Sequence, residues 1–337
     1  TFTEVHAHAA GLAAALVNRY GVRKGDRVAI AMRNYPEWIM TYVGALAAGA
    51  IVVSMNAWWT AEELDYGLED SGTTVLVADA ERVARTRESA ARLGIRTIGV
   101  RLGDGDTPEG VDRWEDVVEP GATYERPELG PDDDATILYT SGTTGHPKGA
   151  VSTHRAVVQA LMGFGCKSAI DSLRRPEEAS GRTGAPVFIL IVPLFHVTGN
   201  VPVMLGAMAS GLKLVMMHKW DPGRALQLIE RERVTQFVGV PTQSWDLLEH
   251  PDFEKYDTST LASVGGGGAP APPQLVGRVG SSFKAAKPNI GLVAWLYRPS
   301  WKGAAAALAL GVVALAFVPR WPLEWLEALK AAPRYRG

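Results

Sequence analysis

Short apolar runs alternate with helical patterns along most of the chain, and no other feature limits the possible folds as much. Runs of strand length occur at residues 28–32, 51–54, 74–77, 97–100, 135–139, 187–192, 213–217, 236–240 and 261–264. Before the first, Val5, Leu12, Leu16 and Tyr20 recur at helical spacing and stop at Gly21. Further helical patterns cover residues 36–49, opened by Pro36, and 61–69, 80–93, 197–209, 222–231, 242–249 and 273–283. Strands that alternate with helices are joined by crossovers, and crossovers make neighbouring strands parallel. The pattern predicts an α/β fold of mostly parallel sheets layered with helices. Residues 103–134 and 172–186 are rich in Gly, Pro and charge, and read as surface excursions.

Composition narrows the function classes. A chain of 337 residues with a net charge of -2 has no global field to draw it to nucleic acid. The single cysteine, Cys166, excludes an internal disulfide framework and any zinc site built on several thiolates, and fits a reducing, cytoplasmic setting. The sequence opens at Thr1 inside a helical pattern, with no basic-then-apolar leader, and reads as a piece of a longer chain. The remaining histidines, His6, His8, His154, His218 and His250, have no metal-ligand spacing.

Chemistry concentrates after the run 135–139, in Thr140-Ser141-Gly142-Thr143-Thr144-Gly145-His146-Pro147-Lys148-Gly149. Its glycines let backbone amides turn toward an anion, Ser141, Thr143 and Thr144 offer hydroxyls, and Lys148 offers positive charge. Pro147 before the lysine and Gly149 after it rule out the common P-loop. A polar connector between strands is the bland alternative, but a ten-residue string of this kind at the end of a buried strand favours phosphate binding.

Residues 139–149 resemble the phosphate-binding signature of the adenylate-forming superfamily, which includes acyl-CoA synthetases, aryl-CoA ligases, luciferases and peptide-synthetase adenylation domains. Other segments agree in order and rough spacing: residues 21–38, 61–64, 70–72, Pro193 to Gly199 around His196, 238–242, and the Gly-Gly-Ala-Pro stretch within 265–270. The resemblance covers residues 1–283 and implies the large amino-terminal domain of such an enzyme, in incomplete form. It implies an ATP-dependent acid-thiol ligase that makes an acyl-adenylate and passes the acyl group to coenzyme A. On the matching positions Thr140, Ser141, Gly142, Thr143, Thr144, Gly145, Lys148 and Gly149 would hold the phosphates. Thr144 would stand beside Mg2+, and Lys148 and Thr144 would act in catalysis. His196 would line the junction of nucleotide and carboxylate, unless it is simply a hydrogen-bonded residue at a strand end. Gly267, Gly268, Ala269 and Pro270 would flank the adenine, a structural glycine turn being the other reading. Val240, Thr242, Ser244 and Trp245 would line the acyl pocket, although an indole such as Trp245 packs equally well as core. The acid itself is read as hydrophobic, a fatty acid first and an aryl acid as the alternative. The sequence does not fix the oligomeric state.

Past residue 283 the resemblance breaks. The aromatic-Gly-x-Thr-Glu motif that completes the family's magnesium site is absent, as are the ribose-binding aspartate and the carboxy-terminal lysine domain. A phosphate cradle lacking those charges predicts a weak or inactive ligase, and leaves a non-catalytic nucleotide-binding module as the rival. Residues 284–337 read instead as an apolar helical tail, natural or a fusion artefact. From residue 287 onward there are seven basic against two acidic side chains. Residues 303–318 carry no charge, span about 24 Å as helix and are bracketed by Lys302, Arg320 and several tryptophans. That favours membrane contact over a buried core helix. Part of the tail weakly resembles a segment of polytopic membrane glycosyltransferases.

Overall fold

The computed structural model describes residues 1–140, 146–174, 186–266, 272–283 and 287–290. Its first half is a seven-stranded sheet built from β1 (Arg27–Ala31), β2 (Ile51–Ser54), β3 (Thr73–Asp79), β4 (Arg96–Val100), β5 (Val111–Arg113), β6 (Asp134–Thr140) and β7 (Lys148–Thr153), in the order β5-β4-β3-β1-β2-β6-β7. All neighbours are parallel except β7, which turns back antiparallel on β6. The helices α1 (Phe2–Ala14), α2 (Pro36–Ala47), α3 (Ala61–Asp70), α4 (Ala80–Leu93), α5 (Trp114–Val117) and α6 (His154–Arg174) accompany it. Local chemistry starts them where the sequence suggests. Pro36 opens α2, and Thr60 and Glu63 form a reciprocal capping box on α3.

The second sheet has the order β12-β11-β10-β8-β9, from β8 (Val187–Leu190), β9 (Lys213–Met216), β10 (Gln236–Gly239), β11 (Ser263–Gly266) and β12 (Lys287–Ile290). The strands β9, β8, β10 and β11 run parallel. A π-helical segment, Gly199–Leu205, leads into α7 (Gly206–Ala209), followed by α8 (Pro222–Glu232), α9 (Pro241–Leu248) and α10 (Pro273–Ser282).

Strand alternation divides the apolar residues between two cores. Val28 and Ile30 join a large core that continues into the second sheet through Ile189, Leu190 and Phe237, whereas Ala29 and Ala31 join Leu64, Leu76 and Ala78 beneath α3 and α4. Buried Asn34 ties the two sheets together. Its Nδ2 donates to the carbonyls of Val192 (2.9 Å) and Met217 (3.3 Å), and its Oδ1 accepts from the Leu194 amide at 2.9 Å.

The α/β layering agrees with the sequence pattern. Several described elements had no expectation behind them: β5 and α5 inside the polar excursion 103–134, the β7–α6 pair, and β12, a strand at 287–290 where the tail was expected to be helical. Strand β7 is a largely exposed edge with the small residues Gly149 and Ala150, and several apolar side chains of α6, such as Val158 and Met162, face solvent, so neither shows burial periodicity. The chain divides into a unit Thr1–Asn289 and a unit Ile290–Gly337. Residues 291–337, and with them the expected membrane contact and glycosyltransferase-like stretch, lie outside the described residues. Among the described residues no helix is long and apolar enough to cross a membrane.

Candidate functional site

Four of the motifs marked in the sequence follow the carboxyl end of a parallel strand. The phosphate-loop string follows β6, the turn with His196 follows β8, Val240 and α9 follow β10, and residues 267–270 follow β11. The strands β11, β10 and β8 are consecutive neighbours in the second sheet, so their carboxyl ends lie side by side. Ligands of open α/β sheets bind at this edge.

Ser141, Gly142, Thr143, Thr144 and Gly145 lie outside the described residues, as do Gly267, Gly268, Ala269 and Pro270. The frame around the first group is described. Strands β6 and β7 form a hairpin whose register sets Thr140 opposite Lys148 and Tyr139 opposite Gly149, with Thr140 and Lys148 both exposed at its mouth. A Cβ on Gly149 would stand 2.8 Å from the Ile137 side chain, so the close crossing of the two strands requires glycine. On the α3 side, Tyr139 Oη donates to the Asp70 carboxylate at 2.6 Å, and its ring meets Trp59 edge-on at 5.5 Å. Burial first, and then the Asp70 hydrogen bond, hold the Tyr139 phenol well above its usual pKa, so it remains a donor. His146, at the end of the loop, stacks on Tyr66 of α3 at 4.7 Å. The mouth of the hairpin, which offers an exposed lysine and a threonine at a strand terminus, suits a polyphosphate. Mg2+ is a different case. Among the described residues no three His, Cys, Asp or Glu side chains gather to hold a metal, and Thr144 lies outside them.

His196 sits in a tight turn whose geometry depends on Gly199. The Pro193 carbonyl receives the His196 amide at 3.2 Å, and a Cβ on Gly199 would overlap that same carbonyl oxygen. The imidazole lies against Phe195 (ring centroids 5.2 Å), which Trp58 meets edge-on at 5.2 Å. The side chain reaches solvent, yet desolvation by its surroundings lowers its pKa, which keeps it neutral at pH 7.

The four residues expected around an acyl group are split by the structure. Val240 precedes α9 and its amide is capped by Gln243 Oε1 at 2.9 Å, Thr242 is exposed, and Ser244 is buried. Trp245 is partly buried, with the Arg278 guanidinium 5.1 Å above its ring. None of the four lines the cleft that opens beside the His196 turn. That cleft, of about 350 Å3, is lined by Thr136 and Leu138 of β6, Ser152 of β7, Ala160 and Phe164 of α6, Tyr42 of α2, and Val197, Thr198, Asn200, Val201 and Pro202. Its size falls in the range of small-molecule sites, about 300–1,000 Å3. Thr136 and Leu138, which line it, share a strand face with Thr140 at the mouth of the hairpin. Sequence reasoning missed Tyr42, Thr136 and Asn200. They lie far apart in the sequence, and only the tertiary fold brings them to one wall.

The chain belongs to the AMP-binding enzyme family, whose profile matches residues 1–291. Over 280 residues it is 33% identical to a feruloyl-CoA synthase of Amycolatopsis sp, covering 82% of this chain and 51% of that protein. A long-chain-fatty-acid–CoA ligase of Bacillus subtilis is 29% identical over 300 residues, covering 82% and 52%. Among solved structures, ATP-bound MatB from Rhodopseudomonas palustris superposes with a TM-score of 0.69 at 27% identity, covering 86% of this chain and 54% of that one. The chain thus spans about half the length of the curated relatives it matches.

Proposed function

We propose that this chain is the nucleotide- and acid-binding half of an acyl-CoA ligase that activates a hydrophobic carboxylic acid with ATP. The observation that carries the reading is the arrangement of the motifs. The hairpin with Lys148 follows β6, the turn with His196 follows β8 and residues 267–270 come after β11 in the chain, each a parallel strand, and a mostly apolar cleft is lined by β6 and by the residues just after His196.

In this reading Thr140, Lys148 and the loop 141–145 hold the phosphates, and Gly267, Gly268, Ala269 and Pro270 flank the adenine. The carboxylate lies near His196, whose neutral imidazole can donate one hydrogen bond without neutralising the nucleophile. ATP supplies an electrophilic α-phosphorus with pyrophosphate as leaving group, and the coenzyme A thiol then takes the acyl group as AMP departs. The protein's part is alignment and charge compensation, the two effects that dominate phosphoryl and acyl transfer. Mg2+ lacks a donor set among the described residues, so no step is assigned to it. The aryl and fatty-acid ligases match at similar identity, so support for the substrate rests on the cleft, whose wall from Leu138 to Phe164 is mostly apolar.

ATP–pyrophosphate exchange across a panel of carboxylic acids tests the proposal. The expected result is weak exchange that requires a hydrophobic acid and falls at least tenfold in Lys148→Ala. ATP binding with no acid-dependent exchange would instead make the chain a non-catalytic nucleotide-binding module.

A further inference from the structure

The backbone around His196 is tied down, but its side chain is not. The Leu194 amide donates to Asn34 Oδ1 at 2.9 Å, the His196 amide to the Pro193 carbonyl at 3.2 Å, and the Asn200 amide to the His196 carbonyl at 3.0 Å. The imidazole makes no hydrogen bond among the described residues. A histidine at a binding site is commonly oriented by a hydrogen bond on the ring nitrogen that faces away from the ligand. Here packing takes that place. The ring lies on Phe195 at a tilt of 40°, with centroids 5.2 Å apart. Phe195 is buried in turn, and Trp58 meets it edge-on at 5.2 Å and 88°.

Trp58 is 58% exposed, yet its backbone is held in a rigid frame. Its amide donates to Asn56 Oδ1 at 2.9 Å, and α4 grips the carbonyls on either side of it. Arg82 Nε donates to the Ala57 carbonyl at 2.7 Å and Arg85 Nη1 to the Trp59 carbonyl at 2.7 Å. Arg82 and Arg85 are three residues apart, which puts them on one face of the helix. The adjacent Trp59 joins the core beneath α3, where a Cβ on Gly67 would stand 2.8 Å from its ring. Trp59 also meets Tyr139 of β6 edge-on at 5.5 Å. One short segment thus touches both the strand that enters the phosphate loop and the turn that carries His196.

We propose that Trp58 is a positioning residue for His196: its edge holds the Phe195 ring, and that ring sets the plane against which the imidazole lies. Because the frame of Trp58 also carries Trp59, the imidazole is placed relative to the same strand that leads into the phosphate loop. The proposal deepens the proposed function and rests on its placing of the phosphates at the hairpin and of the carboxylate near His196. Trp58 acts here on geometry alone, which is what an alignment-driven reaction is sensitive to. An aromatic edge contact is worth roughly a twofold to tenfold factor in an equilibrium. Its loss therefore lets the imidazole leave the bound orientation for part of the time rather than altogether. Exposure makes the residue a good probe, since truncating an indole that lies mostly in solvent opens little cavity.

Nuclear magnetic resonance of the full chain with labelled histidine reads the orientation without any ligand, His196→Gln assigning the signals. Three-bond couplings should report one His196 rotamer in wild type and in Trp58→Phe, and an average over rotamers in Trp58→Ala, with melting temperatures that agree within about 2 °C. Two titrations then read the site. ATP should bind wild type and Trp58→Ala equally, within twofold. Octanoate, titrated in the presence of α,β-methylene-ATP, whose bridging carbon blocks release of pyrophosphate, should bind threefold to tenfold more weakly to Trp58→Ala and recover in Trp58→Phe. Several rotamers in wild type, a single rotamer in Trp58→Ala, or a loss that Trp58→Phe does not recover would overturn the proposal. Equal weakening of ATP and octanoate with a lowered melting temperature would make Trp58 a plain structural residue and overturn it too. If wild type binds no octanoate, or binds ATP with no dependence on Lys148, the proposed function fails and the proposal falls with it. A single rotamer in Trp58→Ala alongside normal binding by wild type overturns the proposal alone.

Discussion

At the scale of single residues, the site is held by side chains whose work is structural. Asn34 satisfies two carbonyls and one amide across the gap between the sheets, and the turn that carries His196 begins at those contacts. Asn34→Ala leaves all three buried groups without that partner and should cost about 2–4 kcal/mol, measurable by urea unfolding. Gly199→Ala drives a methyl into the Pro193 carbonyl and should cost about 1–3 kcal/mol through the same turn. His196 makes a prediction about pH. Its pKa in the fold lies below its ordinary value of 6.5, so the unfolded chain takes up its proton first as pH falls. The contribution of the neutral ring is therefore intact above 6.5 and is lost between 6.5 and the lower folded value. His196→Gln should gain stability relative to wild type as pH drops through that window, and a pH-independent difference between their urea midpoints would contradict this. Single residues also mark what the sequence displayed. Lys148 and Gly149 stood out because glycine and lysine in a hydroxyl-rich string have few other uses, whereas Tyr42, Thr136 and Asn200 gain meaning only from each other.

Elements set which face of each strand meets the ligand. On β6 the odd positions Ile137 and Tyr139 pack toward α3, and the even positions Thr136 and Leu138 line the cleft. The segment between β2 and α3 closes the α3 side, and its anchor is Arg82 of α4, which is 1% exposed. Arg82 donates to the Ala57 carbonyl at 2.7 Å through Nε and pairs with Asp79 at 3.2 Å. Arg82→Leu removes the guanidinium paired with buried Asp79, which keeps only the Arg33 and residue-82 amides, and should cost about 3 kcal/mol. Because that segment carries Trp58 and Trp59, which meet Phe195 and Tyr139, the variant should also raise tryptophan quenching by acrylamide. The buried strands and most amphipathic helices were legible because burial on both faces writes long apolar runs and burial on one face writes a helical period. The hairpin strand β7 and the helix α6 were not. Both are largely exposed, and their positions follow from the pairing of β7 with β6 rather than from hydrophobic pattern.

For the whole molecule, the segments to which the proposal assigns chemistry follow the strands β6, β8, β10 and β11 of two mostly parallel sheets. The alternation of strands and helices was enough to foresee this architecture, and the order of motifs was enough to foresee the family. The cleft beside the His196 turn did not show in the sequence, since it is lined from five elements, α2, β6, β7, α6 and the π-helical segment. The central claim is that the β6–β7 hairpin binds the phosphates of ATP. Equilibrium titration of the full chain with ATP, alongside Lys148→Ala at matched melting temperature, tests it most directly. The account predicts saturable binding that weakens at least tenfold in the variant; an absence of binding, or binding indifferent to Lys148, would contradict it.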